Sequence, residues 1–141
     1  MKNKESKDRA ILNQLDDNIT SSMDDNERLI EEHSMISKFK ALVHEYPQQH
    51  WNLQFYLKKL NISRVELYQL TQLANEAPPM TIVKEIVASE IAKKLVSTEI
   101  PIKELTSCYG FSTSASLTRF VKKHTGLPPS KFRALNALDY I

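Results

Sequence analysis

Residues 101–126, PIKELTSCYGFSTSASLTRFVKKHTG, decide how this chain is folded. Pro101 suits the first turn of a helix, where its missing N–H costs nothing. Behind it Ile102, Leu105 and Cys108 recur at three-residue steps and give that helix an inward face. Gly110 then supplies a sharp turn. Ser112 or Thr113 caps a second helix, which turns Leu117, Phe120 and Val121 inward and leaves Ser114, Ser116, Arg119, Lys122 and Lys123 on its polar side. A short helix, a tight turn and a capped second helix together make a helix-turn-helix plan.

The same plan occurs fifty residues earlier. Asn52 is a good N-cap for a helix with Leu53, Tyr56, Leu57 and Leu60 on one face. The turn Leu60–Asn61–Ile62–Ser63 contains Asn61, one of the few non-glycine residues that tolerates positive φ. Ser63 caps the next helix, and Glu66 three residues on completes a capping box. Matching Ser63 to Thr113 also matches Leu67 to Leu117 and Leu70 to Phe120, with one extra residue in the second turn. An internal repeat makes it harder to read either motif as accidental.

Between the motifs, after Pro78 and Pro79, a helix from about Thr81 to Ser97 aligns Val83, Ile86, Val87, Ile91 and Leu95 as a connector. Upstream, Leu29, Ile30, Met35, Ile36, Phe39, Leu42 and Val43 predict one amphipathic helix or two abutting ones over Asn26 to Tyr46, stopped by Pro47. The first 24 residues are polar, with only Leu12, Leu15 and Ile19 at helical spacing, and read as flexible or marginally helical. With two glycines and no run of alternating β-branched residues, the fold class is all-α. The expected organisation is residues 1–24 as the polar segment, 25–50 as an N-terminal helical extension, 51–80 as the first helix-turn-helix sub-domain, 81–98 as the connecting helix, and 99–141 as the second sub-domain with a C-terminal helix.

At 141 residues the chain has room for one core or two small sub-domains sharing a helix. The net charge of +2 hides a gradient. Residues 1–50 carry seven Lys/Arg against ten Asp/Glu, residues 51–100 six against five, and residues 101–141 six against two. Positive charge gathers where a polyanion would find it. One cysteine excludes an internal disulfide framework, and no apolar run approaches the roughly 20 residues needed to cross a bilayer. The start MKNKESKDRA lacks an apolar core and is no signal peptide, so a cytoplasmic, nucleoid-associated location is expected.

The stretch from Ile91 to Arg133 resembles the DNA-binding domain of the AraC/XylS family of bacterial transcription activators. Ile102, Leu105, Gly110, Phe111, Arg119, Phe120, Lys122, Gly126, Pro129 and Arg133 share that family's spacing, and the resemblance extends upstream without gaps to Trp51. It implies two helix-turn-helix sub-domains joined by one long helix. Such a pair sets two recognition helices in successive major-groove turns, roughly 34 Å apart, without requiring a dimer.

The exposed side of a recognition helix reads base edges. In the second motif the base-contact candidates are Ser114, Ala115, Thr118 and Arg119, and by resemblance Arg119 is the foremost, since arginine can grip guanine with two hydrogen bonds or can instead grip a phosphate. Lys122, Lys123, Lys131 and Arg133, with Thr113 and Ser116 at the helix start, are phosphate-contact candidates that set affinity rather than sequence preference. Arg133 has an equal claim to a structural clamp with the C-terminal helix. The first motif's counterparts are Arg64, Val65, Tyr68 and Gln69. Here the chain departs from the family, carrying Gln72, Leu73 and Glu76 where relatives often have basic residues and a glycine, and Leu57 where a small residue is usual. The first motif therefore either reads bases with a weak phosphate grip or is a packed, non-reading sub-domain.

His33, His44, His50 and His124 are scattered and Cys108 has no second thiol near it, so no zinc spacing exists and no metal or cofactor is implied. Cys108, on a core-facing helix, reads as a small buried hydrophobe sooner than as a redox sensor. No nucleophile motif supports catalysis. Two readings follow. One is a sequence-specific regulator of double-stranded DNA, an activator if it follows its family, with RNA polymerase as a second partner. The other is a helical interaction module of the same fold that modulates another regulator without strong DNA binding. The helices from Asn26 to Tyr46 are the candidates for homodimer or partner contacts, and the roughly fifty residues before Trp51 are too few for the β-rich sensor domain common in the family.

Overall fold

A computed structural model describes residues 15–137, and among these every regular element is helical. The order is α1 (Leu15–Glu45), a 3₁₀ turn (Pro47–Gln49), α2 (Leu53–Leu60), α3 (Arg64–Leu73), α4 (Pro79–Ser97), α5 (Ile102–Cys108), α6 (Ser114–Thr125) and α7 (Pro129–Ala137). The chain divides into two compact units between Met35 and Ile36. In the first, residues 15–35 are helical and Ile30 and His33 are exposed. Leu12 and the rest of the polar stretch before Leu15 lie outside the described residues.

The second unit holds both helix-turn-helix motifs. Its first ten residues are the last turns of α1, and they bury Ile36, Phe39 and Val43 completely or nearly so. Phe39 and Val43 therefore belong to the core of the helix-turn-helix unit, and all three buried residues are withdrawn from any partner-facing surface on the N-terminal helices. Lys40 pairs with Glu76 at 3.2 Å and His44 with Glu90, so polar contacts flank the same docking. Tyr56 meets Phe39 edge-on at 5.9 Å, while its hydroxyl donates to the Tyr46 carbonyl at 2.6 Å, closing the return from α1 into α2.

The connecting helix α4 begins at Pro79, two residues ahead of the expected start, because proline at the first helical position sacrifices no intrahelical bond. Its Val83, Val87, Ile91 and Leu95, spaced by four, are all fully buried, and the helix packs on α3, α6 and α7. One shared helix thus carries core residues of both motifs. Its last turn is closed from outside: the Arg133 guanidinium donates from Nε to the Leu95 carbonyl at 2.8 Å.

Both motif turns use one backbone device. Asn61 (φ 58°) and Gly110 (φ 72°) take left-handed conformations, and the following N–H reaches back five residues, from Ile62 to Leu57 at 3.2 Å and from Phe111 to Thr106 at 2.9 Å. Asn75 (φ 61°) ends α3 the same way, with Glu76 N–H on Thr71 O at 2.8 Å. The buried residues of α5 are Leu105 and Thr106, joined by Tyr109 at its C-cap. Cys108 is exposed, a correction to the inward series expected for this helix.

Candidate nucleic-acid interface

α3 and α6 are built alike from their first residue. Ser63 Oγ accepts from Glu66 N–H at 3.1 Å and Glu66 Oε1 accepts from Ser63 N–H at 2.8 Å. In α6, Thr113 Oγ1 accepts from Ser116 N–H at 3.0 Å, and Ser116 Oγ lies 3.4 Å from the Thr113 N–H. Both are capping boxes, with serine in the second playing the part usual for Glu or Gln. Thr113 and Ser116 are thereby engaged in ending their own helix, and the Ser116 hydroxyl also donates to the Thr113 carbonyl at 2.8 Å.

Each cap fixes which side of its helix is free. On α6, Leu117 and Val121 are buried, whereas Ser114, Ala115, Arg119, Lys122 and Lys123 are exposed and Thr118 is half-buried at the same face. Arg119 and the two lysines form no ion pair with any described residue. Lys122, Lys123 and His124 occupy the last turn, where cations also offset the helix dipole. On α3, Leu67 and Thr71 are buried and Arg64, Val65, Tyr68 and Gln69 are exposed. The fifty-residue offset thus holds in three dimensions: buried Leu67 matches Leu117, and outward Gln69 matches Arg119.

The remaining candidates separate. Lys131 is exposed on α7, beside a shallow apolar hollow formed with Leu127, Ala134 and Leu135. Arg133 is half-buried, with its Nε donating to Leu95 O and its Nη2 buried without a partner. The Leu95 contact has the geometry of a clamp between α7 and α4.

Residues 56–135, more than half of the chain, match the helix-turn-helix domain family in sequence. This chain belongs to the AraC/XylS family. Its relatives include the multiple antibiotic resistance protein MarA of Escherichia coli, 42% identical over 48 residues covering 34% of this chain and 38% of MarA. The Msm operon regulatory protein of Streptococcus mutans is 24% identical over 98 residues, 70% of this chain and 35% of that protein. The chain spans little more than a third of the curated relatives it matches. The C-terminal domain of AraT, a response regulator from Geobacillus stearothermophilus, superposes with a TM-score of 0.64 over 72% of this chain and 84% of that domain at 22% identity, a likeness of fold. The family's members are transcription regulators rather than enzymes.

Within this AraC/XylS domain, one positioning device lay beyond any motif. His50, fully buried, lies 2.8 Å through Nε2 from the Tyr109 carbonyl, and Trp51 Nε1 donates to the Gly110 carbonyl at 3.0 Å. The segment before α2 thus grips the turn before α6 across 59 residues. His50 also packs on Phe111 and Phe120, so the grip extends to the base of α6. Desolvation holds the His50 pKa below its ordinary 6.5, aided by Lys84 and opposed by the Tyr109 hydrogen bond. A neutral ring donating from Nε2 to the carbonyl satisfies both constraints.

The sign of the resulting pH dependence follows from proton binding. Below 6.5 the unfolded chain protonates this histidine and the folded chain does not, so stability is full above that pH and falls as pH drops toward the folded value. His50→Gln keeps a donor for Tyr109 but cannot titrate. Melting temperatures taken above and below pH 6.5 should therefore fall more steeply for the parent than for His50→Gln. Equal slopes would remove His50 as a source of acid lability.

Proposed function

We propose that the chain is a sequence-specific double-stranded DNA-binding transcription regulator that sets α3 and α6 into successive major-groove turns, roughly 34 Å apart, on one face of the duplex. The observation that carries this is the pair of capped helices with matching free faces, joined through one shared helix, the second face bearing Arg119, Lys122 and Lys123, which are exposed and form no ion pair among the described residues. Activation, with contact to RNA polymerase, belongs to this proposal through the family. Homodimer contact is assigned to the N-terminal residues that the helix-turn-helix core does not consume.

The test is selection from a pool of random duplex DNA at two salt concentrations. One enriched motif is expected. Arg119→Ala should lower affinity for it by about 10-fold or more and relax the preference at one position, the cost of a lost two-bond base contact. Lys122→Ala should weaken all sequences alike and reduce the salt slope by about 1, the signature of one lost phosphate contact. If the parent retains no duplex even at low salt, the DNA-binding reading fails and the interaction-module reading replaces it.

A further inference from the structure

The two free faces occupy matching positions and carry different chemistry. Around α6 the face is Ser114, Ala115, Thr118, Arg119, Lys122 and Lys123, and around α3 the same positions hold Arg64, Val65, Tyr68, Gln69, Gln72 and Leu73. Val65 is 64% exposed and Tyr68 37%. Resting on the DNA-binding reading above, we propose that the motifs read different base classes: α3 reads an A·T stretch through Val65, Tyr68 and Gln69, while α6 reads guanine through Arg119.

The assignment follows from what each side chain can offer a groove. Valine has neither donor nor acceptor, and the one apolar feature on a major-groove edge is the thymine C5-methyl. It stands at the second residue of α3, in the first turn that enters a groove in this motif class. Gln69, one turn later, carries a donor and an acceptor in one amide plane, which matches adenine N6 and N7. Arg119, at the equivalent place in α6, carries two donors and matches guanine O6 and N7.

Cytosine would need a carboxylate on the same face, and α3 has none. Its single acid, Glu66, is turned back onto Ser63 N–H at 2.8 Å. Beyond the helix end, the Glu76 carboxylate is paired with Lys40 at 3.2 Å. Nothing acidic on this face therefore repels a phosphate, which favours DNA over a basic protein partner. The same comparison leaves α3 with exposed Arg64, at its first residue, as its one cation for a phosphate, since Gln72 and Leu73 stand where α6 has Lys122 and Lys123.

The test extends the random-duplex selection with Val65→Ser and Gln69→Ala, substitutions on exposed positions that leave thermal melting within error of the parent. An enriched site with an A·T block about one helical turn from a guanine-containing block is expected. Val65→Ser and Gln69→Ala should relax the A·T block alone, by about 5- to 100-fold for the glutamine, and Arg119→Ala the guanine block alone. Replacing thymine by uracil in the A·T block removes only the methyl. It should weaken the parent about three- to five-fold and leave Val65→Ser unchanged, since burial of one methyl is what both changes delete. A motif that responds to Arg119→Ala but has no A·T block, or an A·T block indifferent to uracil and to both α3 variants, overturns this inference and leaves the DNA-binding reading intact. A parent that enriches no duplex overturns that reading itself, and this inference with it.

Discussion

Gly110→Ala should lose about 2–5 kcal/mol of stability, the largest expected effect of any one-methyl change in the chain. Two costs combine. The residue sits at φ 72°, where a side chain costs roughly 1–2 kcal/mol. A Cβ built there would lie 2.4 Å from the Gln48 carbonyl oxygen and 3.1 Å from its carbon, so backbone rather than a flexible side chain must move. Overpacking of this kind costs typically 1–3 kcal/mol. Relief is blocked on both sides, because the Tyr109 and Gly110 carbonyls are held by His50 and Trp51.

Gly126→Ala separates the two costs. Gly126 has φ 87° and nothing within 4 Å of a Cβ, so it should lose the conformational part alone, roughly 1–2 kcal/mol. Denaturant unfolding of both variants measures the difference. If Gly110→Ala costs no more than Gly126→Ala, the segment at Gln48 gives way freely and does not clamp the second motif.

That clamp shows where reading the sequence stops. The caps were legible because each is decided within four residues: Ser63 with Glu66, Ser112 or Thr113 as the cap of α6, and Asn61 as a turn residue all follow from local hydrogen-bond chemistry, and the structure selects Thr113 of the pair. The two-motif layout was legible because a fifty-residue repeat carries buried Leu67 onto buried Leu117. His50 was not, since its partner is 59 residues away and a lone histidine before a tryptophan has no periodic signature. The contact of Arg133 with Leu95 O spans 38 residues and likewise has no local signature.

Cys108 shows a different limit. The series Ile102, Leu105, Cys108 advances by three, and two such steps drift about 120° around a 3.6-residue helix. The buried face follows Leu105, Thr106 and Tyr109 instead, and the cysteine is carried out to solvent. Over seven residues an apolar pattern leaves the helix phase open by one position, and only the packing partner fixes it.

Phe39→Ala tests the other feature periodicity could not supply, namely what covers an apolar face. The sequence marks Ile36, Phe39 and Val43 as one stripe of an extension ending near residue 50, while the structure places Phe39 and Val43 in the same core as Tyr56, Leu57 and Val83. Phe39 is fully buried and meets the Tyr56 ring edge-on, so truncation should cost about 3–5 kcal/mol, measured as a lowered denaturant midpoint with unchanged slope. Ile30→Ala, on the same helix but 68% exposed, should stay within about 0.5 kcal/mol. A chain begun at residue 51 should then fail to fold cooperatively, whereas one begun at residue 36 should keep the transition. If Phe39→Ala costs under about 1 kcal/mol, the last turns of α1 rest on the helix-turn-helix unit without stabilising it. Their apolar stripe would then be available to a partner after all.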